Sequence, residues 1–141
     1  MLPIRTVAAS LATWHAMVAS GDFVLLQSIV HPDAVFRSPV AHKPYHSAGA
    51  LILALTTVST VFEDFAYDRE FTSADGLNIV LEFSAQVGGK ALKGVDLIRF
   101  NAEGMIVEFE VMVRPLSALQ ALGAAMGARL AGGLGAFTTA P

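Results

Sequence analysis

Hydrophobic residues in the first half of the chain recur at the three- and four-residue spacing of amphipathic helices. The clearest stripe consists of Val7, Leu11, Trp14 and Val18. It predicts a helix over residues 6–20, which Thr6 caps and Gly21 ends. The same kinds of signal predict a second helix over residues 23–30 and a third over residues 48–62.

The second half of the chain changes to the two-residue alternation of β-strands. The alternating stretches are residues 65–71, 79–86, 91–100 and 105–114, with a shorter strand candidate at residues 34–37. Asp75-Gly76 and Gly88-Gly89 are typical hairpin turns between such strands. A last helical pattern covers residues 116–130. Helices followed by a meander of long strands predict the α+β class.

The composition favours one domain with much apolar surface. The chain has 141 residues, of which 54% are hydrophobic and 15% charged. This balance suggests either a large internal surface or an apolar face that a partner covers. We expect a single domain over residues 1–141, with a frayed tail over about residues 131–141.

Charge and motifs argue against several classes of protein. The nine Lys and Arg residues are scattered and the net charge is −3, so no nucleic-acid partner is expected. The apolar stretches 48–61 and 116–137 are too short or too interrupted to span a membrane, and the first residues do not resemble a signal peptide. We therefore expect a cytoplasmic protein. No phosphate-binding loop or clustered set of metal ligands is visible, so neither a cofactor nor a metal is expected.

Three stretches resemble the nuclear transport factor 2-like superfamily, and within it the ketosteroid isomerase and SnoaL-like polyketide cyclase branches. They are the helix end Trp14 to Gly21-Asp22, the segment His31-Pro32-Asp33-Ala34-Val35-Phe36-Arg37-Ser38-Pro39-Val40, and the stretch from Val95 to Glu108. The resemblance implies a cone-shaped, curved and mainly antiparallel sheet packed against three helices from the N-terminal half. The C-terminal helix is additional. The resemblance also implies a homodimer, for which the outer face of the sheet is the expected surface.

The same resemblance assigns three positions in the cavity of that fold. In ketosteroid isomerase a carboxylate base shuttles a proton, while a tyrosine and a protonated carboxylic acid hydrogen-bond to the enolate oxygen. The tyrosine position is similar to Trp14 here, the base position to Ser38 and the acid position to Asp96. A serine has no useful basicity near neutral pH, so the standard ketosteroid isomerase reaction is not expected.

Asp96 is the first candidate for a catalytic residue. It shares a strand face with Ile98 and Phe100, and apolar surroundings raise the pKa of a carboxyl group. It can then act as an acid, a hydrogen-bond donor or a base. The alternative is a structural carboxylate paired with an Arg or with the Trp14 N–H. His31, with Asp33 nearby, is the second catalytic candidate, although His-Pro-Asp at a helix end is also typical of an exposed corner.

An apolar cavity is the expected binding site for a small hydrophobic molecule. The residues predicted to contact this ligand are Trp14, Ser38, His42, Tyr67, Phe83, Phe100 and Phe109. The leading hypothesis is a cofactor-free isomerase, cyclase, lyase or hydrolase that uses Asp96. The alternatives are a protein that only binds an apolar ligand, and a dimerisation module whose pocket is filled by its own side chains. Whether the chain is an enzyme stays open at this point.

Overall fold

The computed structural model describes residues 6–130. The helices are α1 (Val7–Ser20), α2 (Leu26–Ile29), α3 (Ala48–Val58) and α4 (Leu116–Arg129). The strands are β1 (Val30–Arg37), β2 (Glu63–Thr72), β3 (Asn78–Val87), β4 (Lys90–Phe100) and β5 (Ile106–Arg114). The predicted α+β class is confirmed. The expected tail over about residues 131–141 lies outside the described residues.

The strands form one curled, unclosed sheet with the order β1-β5-β4-β3-β2. The pairs β2–β3, β3–β4 and β4–β5 are antiparallel, as the meander predicts, whereas β1 pairs with β5 in parallel. Helix α3 packs against β1, and α4 packs against β3, β4 and β5. These two helices lie over the concave face of the sheet.

Local hydrogen bonds explain the bounds of α1. The Thr6 hydroxyl oxygen accepts a hydrogen bond from the Ala9 N–H at 3.0 Å, and Gly21 adopts a left-handed φ of 75°. The Gly21 N–H donates to the Met17 carbonyl at 2.9 Å. These are the cap and the stop that the sequence predicts.

Helix α2 and strand β1 differ from the prediction. Helix α2 is a single turn, because the Asp22 carboxylate accepts from the Val24 N–H at 3.0 Å and holds the preceding residues in a turn. Strand β1 begins earlier, at Val30, and its register against β5 shifts between Val30 and Val35. This irregularity accommodates Pro32, which has no N–H to donate to a ladder.

Helix α3 ends earlier than predicted, at Val58. Hydroxyl groups compete for the backbone carbonyls at this end: Ser59 donates to the Thr56 carbonyl at 2.6 Å and Thr60 to the Thr57 carbonyl at 2.7 Å. The residues that follow turn into β2, and Phe62, just before this strand, and Phe65, within it, pack against the core.

The two faces of the sheet differ in character. The concave face carries the core, in which Phe83, Phe100 and Phe109 are fully buried. The outer face carries a network of charged side chains. There Glu82 pairs with Arg69 and lies 3.5 Å from Lys93, whose ammonium group is 3.0 Å from the Asp68 carboxylate. Among the described helices, none is long and apolar enough to cross a bilayer.

Candidate active site

A cavity of about 430 Å³ lies between the concave face of the sheet and the helices. Its wall includes parts of α1, α3 and α4, Phe36 of β1 and the segment that follows β1, two residues of β2, and single residues of β4 and β5. Most of the wall is apolar, and its polar side chains are Trp14, Ser38, Tyr45, Ser59, Tyr67 and Asp96. Asp96 is the one carboxyl group among the described lining residues.

Asp96 is joined to two aromatic residues by a short chain of hydrogen bonds. The Tyr67 hydroxyl donates to Asp96 Oδ2 at 2.7 Å, and the Trp14 Nε1–H donates to the Tyr67 oxygen at 2.9 Å. Helix α1 supplies Trp14, β2 supplies Tyr67 and β4 supplies Asp96. Within residues 6–130, Asp96 has no other side-chain hydrogen bond.

Burial controls the acidity of this group. Asp96 is 6% exposed, and burial raises the pKa of its carboxyl to about 7, against a smaller opposing effect of the hydrogen bond from Tyr67. Burial, followed by the nearby Asp96 charge, raises the pKa of Tyr67 above its usual range. Tyr67 therefore stays protonated, while Asp96 titrates near neutral pH.

Aromatic contacts hold the Tyr67 ring in place. The ring centroid of Phe65 lies 4.9 Å away and that of His15 lies 5.3 Å away, both in edge-to-face geometry. His15 Nε2 is 3.1 Å from the Glu70 carboxylate, so a polar contact between α1 and β2 fixes His15 in turn. Edge-to-face contacts of this kind favour one orientation of the ring.

Four of the predicted site residues lie on the cavity wall: Asp96, the first catalytic candidate, and Trp14, Ser38 and Tyr67, which were predicted to contact the ligand. Their functional roles stay predictions. Among residues 6–130 no Arg pairs with Asp96, and Trp14 is connected to Asp96 through Tyr67.

The remaining predicted site residues lie elsewhere. Phe83, Phe100 and Phe109 are packed into the core and are not on the described cavity wall, because the helices and neighbouring strands cover them. His31 is on β1, away from the wall, where its Nδ1 accepts from the Asp33 N–H at 3.0 Å. His42 is exposed in the loop after β1 and does not line the cavity.

Sequence reasoning missed two parts of the site. The link through Tyr67 was not predicted, although its place on the inward side of the alternating β2 pattern was a signal. Tyr45 also lines the cavity, and two backbone hydrogen bonds with Phe36, of 2.8 and 2.9 Å, fix its position. Helix α4 forms one wall through Leu122, Gly123 and Met126. Helix α4 therefore lines the cavity and does not fill it.

The part of the chain that the structure describes contains no candidate metal-binding site. Across residues 6–130, no three His, Asp or Glu side chains are arranged to hold a metal ion. The chemistry that the described cavity itself offers is hydrogen bonding and proton transfer.

Comparison with known proteins confirms the predicted resemblance. A family model of the SnoaL-like domain matches residues 11–109. A solved steroid delta-isomerase from Pseudomonas aeruginosa is 58% identical, with 96% of this chain and 99% of that chain covered and a TM-score of 0.88. An uncharacterised protein with a cystatin-like fold from Silicibacter pomeroyi is 32% identical, with 91% of each chain covered and a TM-score of 0.82.

A more distant solved structure shares the fold alone. SalBIII, an epoxide hydrolase/cyclase-like enzyme in pyran ring formation, is 16% identical over 79% of this chain and 92% of its own, with a TM-score of 0.63. A comparison with curated protein sequences found no match.

Proposed function

Since the chain belongs to the SnoaL-like domain family, we propose that it catalyses cofactor-free proton transfer within a small, neutral, hydrophobic molecule. Asp96 is the group that takes up and returns the proton. The observation that carries this proposal is that Asp96, 6% exposed, is the one carboxyl group among the described residues that line an apolar cavity of about 430 Å³. An ionisable group that burial perturbs in a concave apolar site is a functional candidate on physical grounds.

The lining of the cavity supports a neutral ligand. No Lys or Arg is among the described lining residues, so an anionic group has no counter-ion there and would face the Asp96 carboxylate. Burying an unpaired charge is costly in an apolar site. The volume is in the lower half of the range of about 300–1,000 Å³ found for small-molecule pockets. We therefore propose a compact molecule with one carbonyl oxygen as its main polar atom.

The acidity of Asp96 suits an isomerisation. With a pKa of about 7, both forms of the carboxyl are populated near neutral pH. The carboxylate removes a proton from a carbon next to the carbonyl group, and the electron pair moves into the carbonyl to form an enolate. The Asp96 carboxylic acid then returns the proton to another carbon of the conjugated system. The double bond moves, and no co-reactant is consumed.

The relative from Pseudomonas aeruginosa supports this class of reaction. It is a steroid delta-isomerase and is 58% identical to this chain. A steroid ketone is thus the first substrate to test. Ser38 lies on the cavity wall but offers no basic group there, so the proposed reaction relies on Asp96.

The test compares two variants that lose one carboxylate each. Asp96→Asn and the control Asp68→Asn are assayed with a β,γ-unsaturated steroid ketone, and formation of the conjugated enone is followed by its ultraviolet absorbance. We expect Asp96→Asn to lose about 10²–10⁴-fold in kcat, the usual contribution of a general acid–base, while Asp68→Asn keeps its activity. An Asp96→Asn protein that folds and turns over at the wild-type rate contradicts the proposal.

A second candidate function is ligand binding without catalysis. It is favoured by the lack of a second carboxyl group on the described wall, since a site with one such group can hold a ligand without completing a reaction. In that case neutral hydrophobic ligands raise the melting temperature of the protein while no product forms. The homodimer and the cytoplasmic location stay predictions.

A further inference from the structure

We propose that Trp14 is a positioning residue, whose donor-only N–H sets the direction of the hydrogen bonds through Tyr67 and thereby holds the exchangeable proton of Asp96 on Oδ1. This inference deepens the proposed function and rests on it for its catalytic part. It concerns which oxygen of Asp96 carries the proton, and not whether Asp96 reacts.

The direction follows from the chemistry of the three groups. An indole N–H donates and has no lone pair with which to accept, whereas a phenol can do both. At 2.9 Å from Trp14 Nε1, the Tyr67 oxygen must therefore accept. Its own hydrogen is then free to point to Asp96 Oδ2, which lies 2.7 Å away. The N–H of Trp14 on α1 thus sets the orientation of the Tyr67 hydroxyl group on β2.

The orientation of Tyr67 decides which oxygen of Asp96 carries the proton. The carbonyl oxygen of a carboxylic acid accepts a hydrogen bond better than its hydroxyl oxygen does, so the hydrogen bond from Tyr67 favours Oδ2 as the unprotonated oxygen. The neutral carboxyl therefore carries its proton on Oδ1, which has no hydrogen bond within residues 6–130. Oδ1 is the oxygen left for a molecule in the cavity. The same atom can donate when Asp96 is neutral and accept when it is charged.

Packing keeps Trp14 from leaving this position. Its side chain is 3% exposed, and its ring centroid lies 5.2 Å from that of Phe109 and 5.9 Å from that of Phe23. The indole therefore has little freedom to swing away from Tyr67 when the cavity fills. A hydrogen bond that is positioned in advance need not be reorganised during the reaction.

The surroundings of Asp96 contain few other groups that could take over this role. Its paired neighbours Leu81 on β3 and Val111 on β5 are apolar. Tyr67 on β2 is the titratable side chain that contacts it. His15 on α1 contacts the Tyr67 ring and pairs with Glu70, but within the described residues neither has a hydrogen bond to Asp96. The described cavity-lining residues of α3 and α4 carry no charge.

The sharpest test removes the N–H and keeps the shape. Trp14 is the only tryptophan of the chain, so growth on 3-benzothienylalanine replaces the indole N–H with sulfur at this one position. The pKa of Asp96 is then measured by ¹³C NMR of carboxyl-labelled aspartate, assigned from the signal missing in Asp96→Asn. Kinetic constants are measured on the same samples.

We expect the analogue to raise the pKa of Asp96, because Tyr67 donates less well once it no longer accepts from Trp14. We also expect kcat to fall about threefold to tenfold, the effect of one ordinary hydrogen bond, with KM unchanged. An unaltered Asp96 pKa and an unaltered kcat overturn the inference. If Asp96→Asn proves fully active, the proposed function fails, and the NMR titration still decides the inference about Trp14.

A double-mutant cycle gives a second measurement that does not depend on the analogue. Trp14→Phe alone should raise the Asp96 pKa, and it should have no further effect in a Tyr67→Phe background, since the link is then already broken. An equal effect of Trp14→Phe in both backgrounds would show that Trp14 acts on Asp96 by another route, and it would refute the inference.

Discussion

The burial that makes Asp96 reactive should also make the folded protein less stable as pH rises. In the unfolded chain its pKa is close to the ordinary value of 3.8, whereas in the folded protein it is about 7. Between these two values the folded state binds more protons than the unfolded state, so the free energy of unfolding decreases as pH increases. Above the pKa of Asp96 in the folded protein, the full free-energy cost of burying its charge is present.

The size of the penalty follows from the shift. At about 1.4 kcal/mol per pKa unit, a shift of this size costs about 4 kcal/mol when Asp96 is charged. Asp96→Asn keeps the shape and a carbonyl oxygen for Tyr67 but cannot ionise. We expect the stability gain of the variant over the wild type to grow by about 2 kcal/mol between about pH 5 and pH 7, and to level off above about pH 8.

Urea unfolding of both proteins across this pH range measures the difference directly. Asp68→Asn is the matched control. The Ser84 hydroxyl and the Lys93 ammonium group hold the pKa of Asp68 below its usual range, so Asp68 is charged in both states throughout and its substitution should change stability by a pH-independent amount. If the difference in free energy of unfolding between Asp96→Asn and the wild type does not vary with pH, burial does not raise the pKa of Asp96 and the predicted penalty is refuted.

Three further predictions concern packing and the cavity. Gly94→Ala should cost about 1–3 kcal/mol of stability in urea unfolding, because the added methyl group would collide with the Phe83 ring and lie 2.8 Å from the Met112 carbonyl oxygen. Gly127→Ala in α4, where the space around the added methyl group is open, should instead stabilise the protein by about 0.5–1 kcal/mol. Equal effects of the two substitutions would contradict the packing argument. Met126→Trp should fill the cavity and abolish the rise in melting temperature with a neutral hydrophobic ligand; an undiminished rise would place the ligand elsewhere. Ser38→Asp adds a carboxylate to the wall and should increase steroid isomerisation by about tenfold or more in the enone assay, and an unchanged rate would show that this position does not reach the substrate.

Much of the fold could be predicted because its signals are local. Thr6 and Gly21 mark the ends of α1, and the two-residue alternation of β3 and β4 sets which side chains face inwards. The same alternation predicted Asp96 among apolar neighbours. Helix α2 could not be predicted correctly, since a turn bond from Asp22 competed with the helical pattern.

The rest of the site depends on contacts between distant parts of the chain. Tyr67 and Asp96 are on strands that do not pair with each other, and β2 has two register irregularities against β3. Whether the Tyr67 hydroxyl reaches Asp96 therefore depends on the register irregularities between β2 and β3, which no local sequence pattern indicates. The same holds for Phe83, Phe100 and Phe109, because alternation shows which face a residue is on but not whether another residue covers it.

The position of the lone tryptophan gives the protein an internal optical probe. Trp14 lines the cavity, and one hydroxyl group separates its indole from the Asp96 carboxyl. Indole fluorescence responds to the polarity and charge of its surroundings. Its emission should therefore change when a ligand displaces water from the cavity, and it should titrate with Asp96 in the empty protein. Ligand screening and the ionisation of the site can both be followed on unlabelled protein, with no second tryptophan to obscure the signal.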